Sequence, residues 1–340
     1  MVSVILLDSE NNPLKTIKHA ANLFIVERAY SHAIGEFSLT IRDRRQNNTM
    51  QRARVLLVFG GGLNRIMSID HISLDNTANF SKVTFQLSGI ERVLEQRNDG
   101  NKELTWDNLS PLEVSGDIVE RLQNGSLERR FIQFDNEVNI VGTLAYKEAH
   151  QMSEINHWEY IVQLMSAHKF CCDALTTGLG VVKLQFRLPD DREDVILSEL
   201  SRYTKLNYVH TDYTIIRNSI IVAGEGEGVR QKIATYDAGE IGIDRFEAFS
   251  SEESLGSNEG YISNAKYYEM LTSAAKQLVN EKKQESDYTV SEALFRKVKT
   301  GDTIYVSSMA VNDGLLQSKI INELKTEIIN GSTRRSITFF

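Results

Sequence analysis

Phe37-Ser38-Leu39-Thr40-Ile41 and, further on, Val83-Thr84-Phe85-Gln86-Leu87 place an apolar side chain at every second position. Successive side chains of a strand point to opposite faces, so this period predicts strands with one face buried and the other in water. Outward from these two runs, Ser3 to Leu7, Leu23 to Tyr30, Phe37 to Arg42, Val55 to Phe59, Arg65 to Ile72 and Lys82 to Leu87 read as a series of strands. Gly60-Gly61-Gly62 and Asn-rich turns separate them. Short strands at such regular spacing predict a small β-barrel or sandwich at this end of the chain.

The middle of the chain is mixed. In Ser110-Pro111-Leu112-Glu113 a serine caps a helix, a proline takes its first position and a glutamate stands three residues after the cap, so orphan amide donors find partners. This helix is expected to run to about Leu122, before Asn124-Gly125, with Gly116 weakening it by about 1 kcal/mol. Asn156 with Glu159 opens a second helix, whose Trp158, Ile161, Met165 and His168 share one face. Val181 to Leu188 alternates like a strand, and the charged run Pro189 to Asp194 reads as a loop. Asn207 to Tyr213, Ser219 to Ala223 and Val229 to Tyr236 are further strand candidates, the last two joined by a turn at Gly224-Glu225-Gly226-Glu227-Gly228. A Ser, Gly and Glu-rich stretch, Ser250 to Ser263, is expected as an exposed loop. It leads to a helix capped by Asn264 with a stripe of Tyr267, Met270, Leu271, Ala274 and Leu278. Strands return at Thr303 to Ser307, Ile320 to Ile328 and Ser336 to Phe340. The fold class expected is mainly β with α+β inserts.

Composition narrows the function. With 340 residues the chain has room for two or three domains, and 41% hydrophobic against 25% charged residues is the balance of a folded globular protein. The longest apolar run near the start, Val4 to Leu7, is shorter than a signal-peptide core, and no run is long enough to span a membrane. Adjacent cysteines rarely reach disulfide geometry, so Cys171 and Cys172 are expected to be reduced and buried. A net charge of −8 argues against a protein that grips phosphate backbones, because that binding draws on clustered Lys and Arg.

No motif carries catalysis. The Gly224–Gly228 run resembles a nucleotide loop only superficially: a strand, not a helix, is expected after it, and Glu225 and Glu227 would repel phosphate. The seven histidines (His19, His32, His71, His150, His157, His168 and His210) show no helical metal-ligand spacing. Asp190 to Asp194 could offer oxygens to calcium, but Arg192 interrupts the run and no glycine or distal glutamate follows at loop spacing, so a solvated turn is expected. No serine stands in a nucleophile elbow, and paired carboxylates identify nothing among 46 acidic residues. No catalytic residue, cofactor or metal site is expected.

Several segments, in order, resemble the tail-tip hub proteins of siphophages, the tail-associated family. They are Gly35-Glu36-Phe37-Ser38-Leu39, then Gly89 with Leu94-Glu95-Gln96-Arg97, Asp191-Arg192, the run Asn218 to Arg230, and Gly242-Ile243-Asp244-Arg245-Phe246-Glu247. Glu193 departs from the family, which more often has a small hydroxyl residue there. The resemblance implies a fold shared with contractile-tail hubs and with the base of VgrG spikes, in which two small β-barrels stand side by side with a mixed α/β insert. On that pattern residues 1–97 form the first barrel, 98–200 the mixed domain with a helical insert at 239–287, and 201–238 with 288–340 the second barrel.

It further implies a non-enzymatic homotrimer, a ring of six similar barrels at the tip of a virion's tail, assembled in the host cytoplasm. Its partners would be its own copies, the distal tail protein ring, and tail tube, tape measure or fibre proteins, with DNA passing through without specific binding during genome ejection. Three chains would carry 3 × −8 = −24, which disfavours adhesion of DNA. Longer family members append fibres or cell-wall hydrolases, and this chain resembles the hub alone. Two other classes compete: a carbohydrate-binding receptor module, with Tyr261, Tyr267 and Tyr268 as candidates although their helical spacing suits core packing, and a cell-wall hydrolase, which lacks a catalytic constellation.

Overall fold

A computed structural model describes residues 3–9, 12–18, 22–60, 63–77, 79–92, 104–125, 133–134, 139–141, 147–152, 156–178, 181–212, 217–224, 231–237, 239, 245–251, 264–277, 283–329 and 331–339. The fold is mainly β, as the strand periods predict. It divides into one compact unit made of Met1–Tyr208 with Ser286–Phe339 and a second made of Val209–Glu285.

The first unit begins with β1 (Ser3–Leu7), β2 (Pro13–Lys18), β3 (Asn22–Arg28), β4 (Ile34–Ile41), a short α1 (Asn47–Gln51), β5 (Val55–Gly60), β6 (Leu63–Asn76) and β7 (Ser81–Gly89). These strands lie antiparallel in the order β3-β4-β7-β6-β5-β1-β2. The two alternating runs that open the sequence pair with each other: Phe37 faces Phe85 and Leu39 faces Val83, and the two phenylalanine rings stack with centroids 5.8 Å apart. Their inward side chains join Val4, Leu6, Leu56, Val58 and Met67 in one apolar core. Gly35 is required at its place, because a Cβ there would lie 2.6 Å from the Phe24 carbonyl oxygen on β3.

Strands β1 and β5 read as unbroken apolar runs for a different reason. Their other faces, through Leu7, Val55 and Leu57, are buried in a second core built with an insert. That insert holds β8 (Leu104–Leu109), α2 (Pro111–Gly125), β9 (Gln133–Phe134), β10 (Asn139–Val141), β11 (Glu148–Met152), α3 (His157–His168), β12 (Cys171–Gly178) and β13 (Val181–Arg187). Both predicted caps form. The Ser110 amide donates to Glu113 Oε2 at 2.7 Å, and the Glu159 amide donates to Asn156 Oδ1 at 2.7 Å. Trp158, Ile161 and Met165 of α3 meet Ile118 and Val119 of α2, with Phe170 and Phe186 edge to face beneath them.

The second β half holds β14 (Asp191–Ser198) and β15 (Thr204–Asp212), and after the second unit it resumes. In the second unit, β16 (Ser219–Ala223) lies between β17 (Ile233–Asp237) and β18 (Glu247–Ser251), and α4 (Asn264–Gln277) covers one face of that sheet. The first unit then continues with β19 (Lys283–Val290), α5 (Glu292–Phe295), β20 (Thr303–Ser307), α6 (Met309–Asn312), β21 (Leu316–Ile329) and β22 (Ser332–Phe339). The long β21 joins the halves: it pairs with β3, with β22 and, near its start, with β20. Ile328 reaches the first core, whereas Ile321 and Leu324 reach a third core with Val195, Tyr288, Val306 and Phe339.

Three expectations are revised. Among the described residues no strand pair closes either half into a barrel; the halves are consecutive stretches of one thirteen-stranded sheet because β21 belongs to both. The run expected as a loop through Asp194 is a strand from Asp191, paired parallel to β20. Its charges are tolerated because β14 is an edge strand, and charged side chains with an irregular register are what keep such an edge from pairing further. Finally, Ser219–Ala223 pairs with Ile233–Asp237 and with Glu247–Ser251, so these segments form a sheet of the second unit.

Candidate functional site

The insert meets the second β half through charge. The Arg187 side chain, almost wholly buried, donates from Nε to Asp173 Oδ2 at 2.8 Å, from Nη1 to Asp302 Oδ1 at 2.9 Å and from Nη2 to the Thr300 carbonyl at 2.7 Å. Asp302 in turn accepts the Asp190 and Lys299 amides at 3.1 and 2.8 Å, and Lys299 Nζ reaches Asp173 at 2.9 Å. Burial works against the Arg187 cation, yet the Asp173 and Asp302 carboxylates outweigh it and hold its pKa above the ordinary arginine value. The turn at Gly301, at φ +84°, closes against this cluster: a Cβ there would lie 2.4 Å from Cys171 Sγ. Burial, opposed in part by Arg187, pushes the Cys171 thiol up to about 12. Cys171 is buried and Cys172 half-buried, both as free thiols.

A second charged cluster lies beside it. Arg65 Nη1 donates to the Ala174 carbonyl at 3.0 Å and stands 3.4 Å from Glu27, and Nη2 stands 3.6 Å from the buried Glu91. Glu91 also accepts the Ala33 amide at 2.9 Å, and its carboxylate fills the space that a Cβ on Gly89 would need. Arg65, Asp173, Lys299 and Arg335 line a cavity of about 220 Å³ where the three parts of this unit meet. Each of its cations is matched by a carboxylate, so the cluster works as a joint.

The surface most suited to assembly is at the tip of the second β half. With Ile304 and Val306 turned inward, the opposite face of β14, β20 and β21 carries Ile196, Tyr305, Leu316 and Ile320. Leu200 is 97% exposed, and Met309 and Leu315 are each 71% exposed. Leu200 and Met309 are drawn together because Glu199 accepts bonds from the Ser308 hydroxyl and, at 3.2 Å, from the Met309 amide, and Leu315 follows Gly314, whose amide donates to the Ser308 carbonyl at 3.0 Å. A cluster of bare apolar side chains on a folded unit is the mark of a contact surface.

The residues singled out in the sequence have structural places. Gly224 meets α4: a Cβ there would lie 2.4 Å from the Tyr267 hydroxyl, while residues 225–228 lie outside the described residues. Arg245 clips the small sheet, with Nε 2.8 Å from Glu247 and Nη2 donating to Ser219 Oγ at 2.9 Å, and Asn218 Oδ1 accepts the Phe246 amide at 2.8 Å. Arg192 donates to Asp194 at 3.1 Å and to the Lys297 carbonyl at 2.6 Å. The His150 and His168 rings meet edge to face, His157 is buried, and His19 lies outside the described residues, as do Leu94 to Arg97 and residues 252–263 of the stretch expected as a loop. Among the described residues no three His, Cys, Asp or Glu side chains gather as a metal site requires, and no helix is long and apolar enough to cross a membrane. Tyr267 is fully buried in the core under α4, Tyr268 is exposed, and Tyr261 lies outside the described residues. The apolar tip had no periodic signal in the sequence: Leu200 stands alone between Glu199 and Ser201, and Met309 and Leu315 belong to short apolar runs with neither strand nor helix period.

No family model matches the sequence, and no curated protein matches it. Solved structures do. The 43 kDa tail protein of prophage MuSo2 from Shewanella oneidensis is similar with a TM-score of 0.62 at 10% identity, over 100% of this chain and 97% of that one. The tail protein from Neisseria meningitidis MC58 gives 0.60 at 8% identity, over 99% and 95%. The E. coli c3393 protein, a type VI secretion component with structural similarity to the T4 tail proteins gp27 and gp5, gives 0.52 at 10% identity, over 94% and 73%. The fold is therefore of the type found in phage tail proteins and VgrG-like secretion proteins.

Proposed function

We propose that this chain is the structural hub of a phage-type tail tip, a homotrimer whose copies form a hollow ring at the end of the virion's tail. The ring joins the distal tail ring and tube above to tip, fibre or tape measure proteins below, and DNA passes through it without being held. The chain has no catalytic task in this reading. The observation that carries it is the likeness of the fold, along the whole chain, to two phage tail proteins of nearly the same extent. Each copy contributes two curved β halves, the first within 1–97 and the second from the strands that flank residues 209–285. The apolar tip around Leu200, Met309 and Leu315 faces a sister copy. A ring of three carries 3 × −8 = −24, which favours passage of DNA over adhesion.

Light scattering tests the assembly. The full chain is expected to give the mass of a trimer, and Leu200→Ser with Met309→Ser to shift it to monomer while the circular dichroism melt stays in place. A monomer at every concentration overturns the reading, and a trimer untouched by the double change moves the contact elsewhere.

A further inference from the structure

A groove of about 360 Å³ runs across the opposite face of the sheet, where β3, β21, β22, β19 and β15 lie side by side. Its floor is made by small residues on one strand, Ser336 and Thr338, both buried, and its walls by longer side chains on the strands to either side. Short residues flanked by long ones across a sheet make a trough, so the shape follows from the register: Lys325 faces Ser336 on β22, and Asp287 of β19 faces Thr338.

The chemistry inside it is unusual for a structural surface. Asp287, 9% exposed, accepts the Asn207 amide at 2.5 Å on Oδ2 and the Thr338 hydroxyl at 3.1 Å on Oδ1, both neutral donors. Arg334 donates from Nη2 to Asn207 Oδ1 at 2.7 Å and from Nε to Thr289 Oγ1 at 3.0 Å, both neutral acceptors. Thr289 Oγ1 donates to Asn207 Oδ1 at 3.0 Å, so one amide holds a carboxylate on one side and a guanidinium on the other without letting them pair. Other charges of the groove are matched: Glu327 stands 3.4 Å from Lys325, and Glu323 stands 3.1 Å from Arg28. What is left facing the groove is a carboxylate with spare acceptor capacity, an Nη1 that makes none of these bonds, and the apolar side chains of Phe24 and Val26 on β3, which lie across from Glu327 and Lys325.

We propose that this groove binds a neutral saccharide. Vicinal hydroxyls are matched by an acceptor and a donor fixed a short way apart, Asp287 and Arg334, and the C–H face of a pyranose by the apolar side chains of Phe24 and Val26. A polyanion would meet Asp287 and a polycation Arg334, whereas an uncharged polyol meets both favourably. The volume lies within the range of about 300–1,000 Å³ that small-molecule sites occupy. Binding at this groove is a property of the single chain and does not rest on the hub reading.

Saturation-transfer NMR on the full chain, with glucose, galactose, rhamnose and N-acetylglucosamine each at millimolar concentration, tests it. At least one sugar is expected to receive saturation, and Asp287→Asn and Arg334→Met each to weaken it by about tenfold or more, the loss of one hydrogen bond to a charged group. Arg334 is exposed, so Arg334→Met is expected to weaken binding with the melting curve unmoved, and a folding defect in Asp287→Asn leaves a reading. Repeating the measurement on the Leu200→Ser, Met309→Ser chain separates the groove from assembly, since binding there is expected whatever the oligomeric state. Absence of transfer from all four sugars, transfer unchanged by both variants, or binding of N-acetyl-lysinamide alone overturns the proposal, the last pointing to a cationic side chain of a protein partner.

Discussion

The insert between the two β halves makes two seams of opposite character. Toward the first half it presents Phe170, Phe186, Ile161 and Met165 to Leu7, Val55, Leu57 and Ile66, an apolar seam continuous with its own core. Toward the second half it presents Arg187 and Asp173 to Asp302, Lys299 and the Thr300 carbonyl, a seam of ions and hydrogen bonds. An apolar seam is non-directional and tolerates small shifts, so it welds its partners without specifying an angle closely. A buried ionic seam adds little net stability over apolar residues but is costly to leave half made, so it admits one arrangement. The difference teaches where orientation is set: the first half supplies mass to the core, and the second is held at a defined angle to the insert.

Removing one partner of the ionic seam is expected to have the largest effect. Arg187→Met leaves Asp173 and Asp302 buried without their cation, and a loss of about 3–5 kcal/mol in unfolding free energy from urea titration is expected. If the loss is below about 1 kcal/mol, the seam is wet and the contrast between the two seams fails. On the apolar seam Leu57→Ala is expected to cost about 2–5 kcal/mol. Added salt should leave that loss unchanged, because no charge is exposed by it. A cap far from both seams gives a smaller effect: Asn156→Ala removes the acceptor for the Glu159 amide and is expected to cost about 1 kcal/mol.

The thiol at the ionic seam adds a pH readout. Cys171 is pushed from an ordinary 9.0 up to about 12, chiefly by burial, so the folded chain keeps a proton that the unfolded chain gives up. Its contribution to stability is whole below pH 9 and is lost as the pH climbs toward 12. Alkylation by iodoacetamide at pH 8 should accordingly be slow in the native chain and fast in urea. Rapid native alkylation of Cys171 would show that the seam around Gly301 is open.

How far the sequence foretold these features depended on their range. The pairing of Phe37 with Phe85 was legible because an alternating period is local, and both helix caps were legible because Ser110 with Glu113 and Asn156 with Glu159 span three residues. The apolar seam was half legible: Ser3 to Leu7 and Val55 to Phe59 stand out as strands, but burial on both faces appears only once the insert is in place. The ionic seam was not legible at all. Arg187, Asp173 and Asp302 are far apart in the chain and look like any solvated charges, and the same charge-equals-surface logic made a loop of the edge strand that begins at Asp191. The candidate assembly tip was hidden for the mirror reason, since Leu200, Met309 and Leu315 stand in short segments without a period and their neighbourhood is made by the folding of two turns.

Negative-stain imaging of the purified full chain tests the ring assembly. Particles with threefold symmetry around a central hole are expected, each copy contributing two lobes to the rim. Solitary particles of one chain's mass at micromolar concentration, or a two-fold pair with no axial opening, would contradict it.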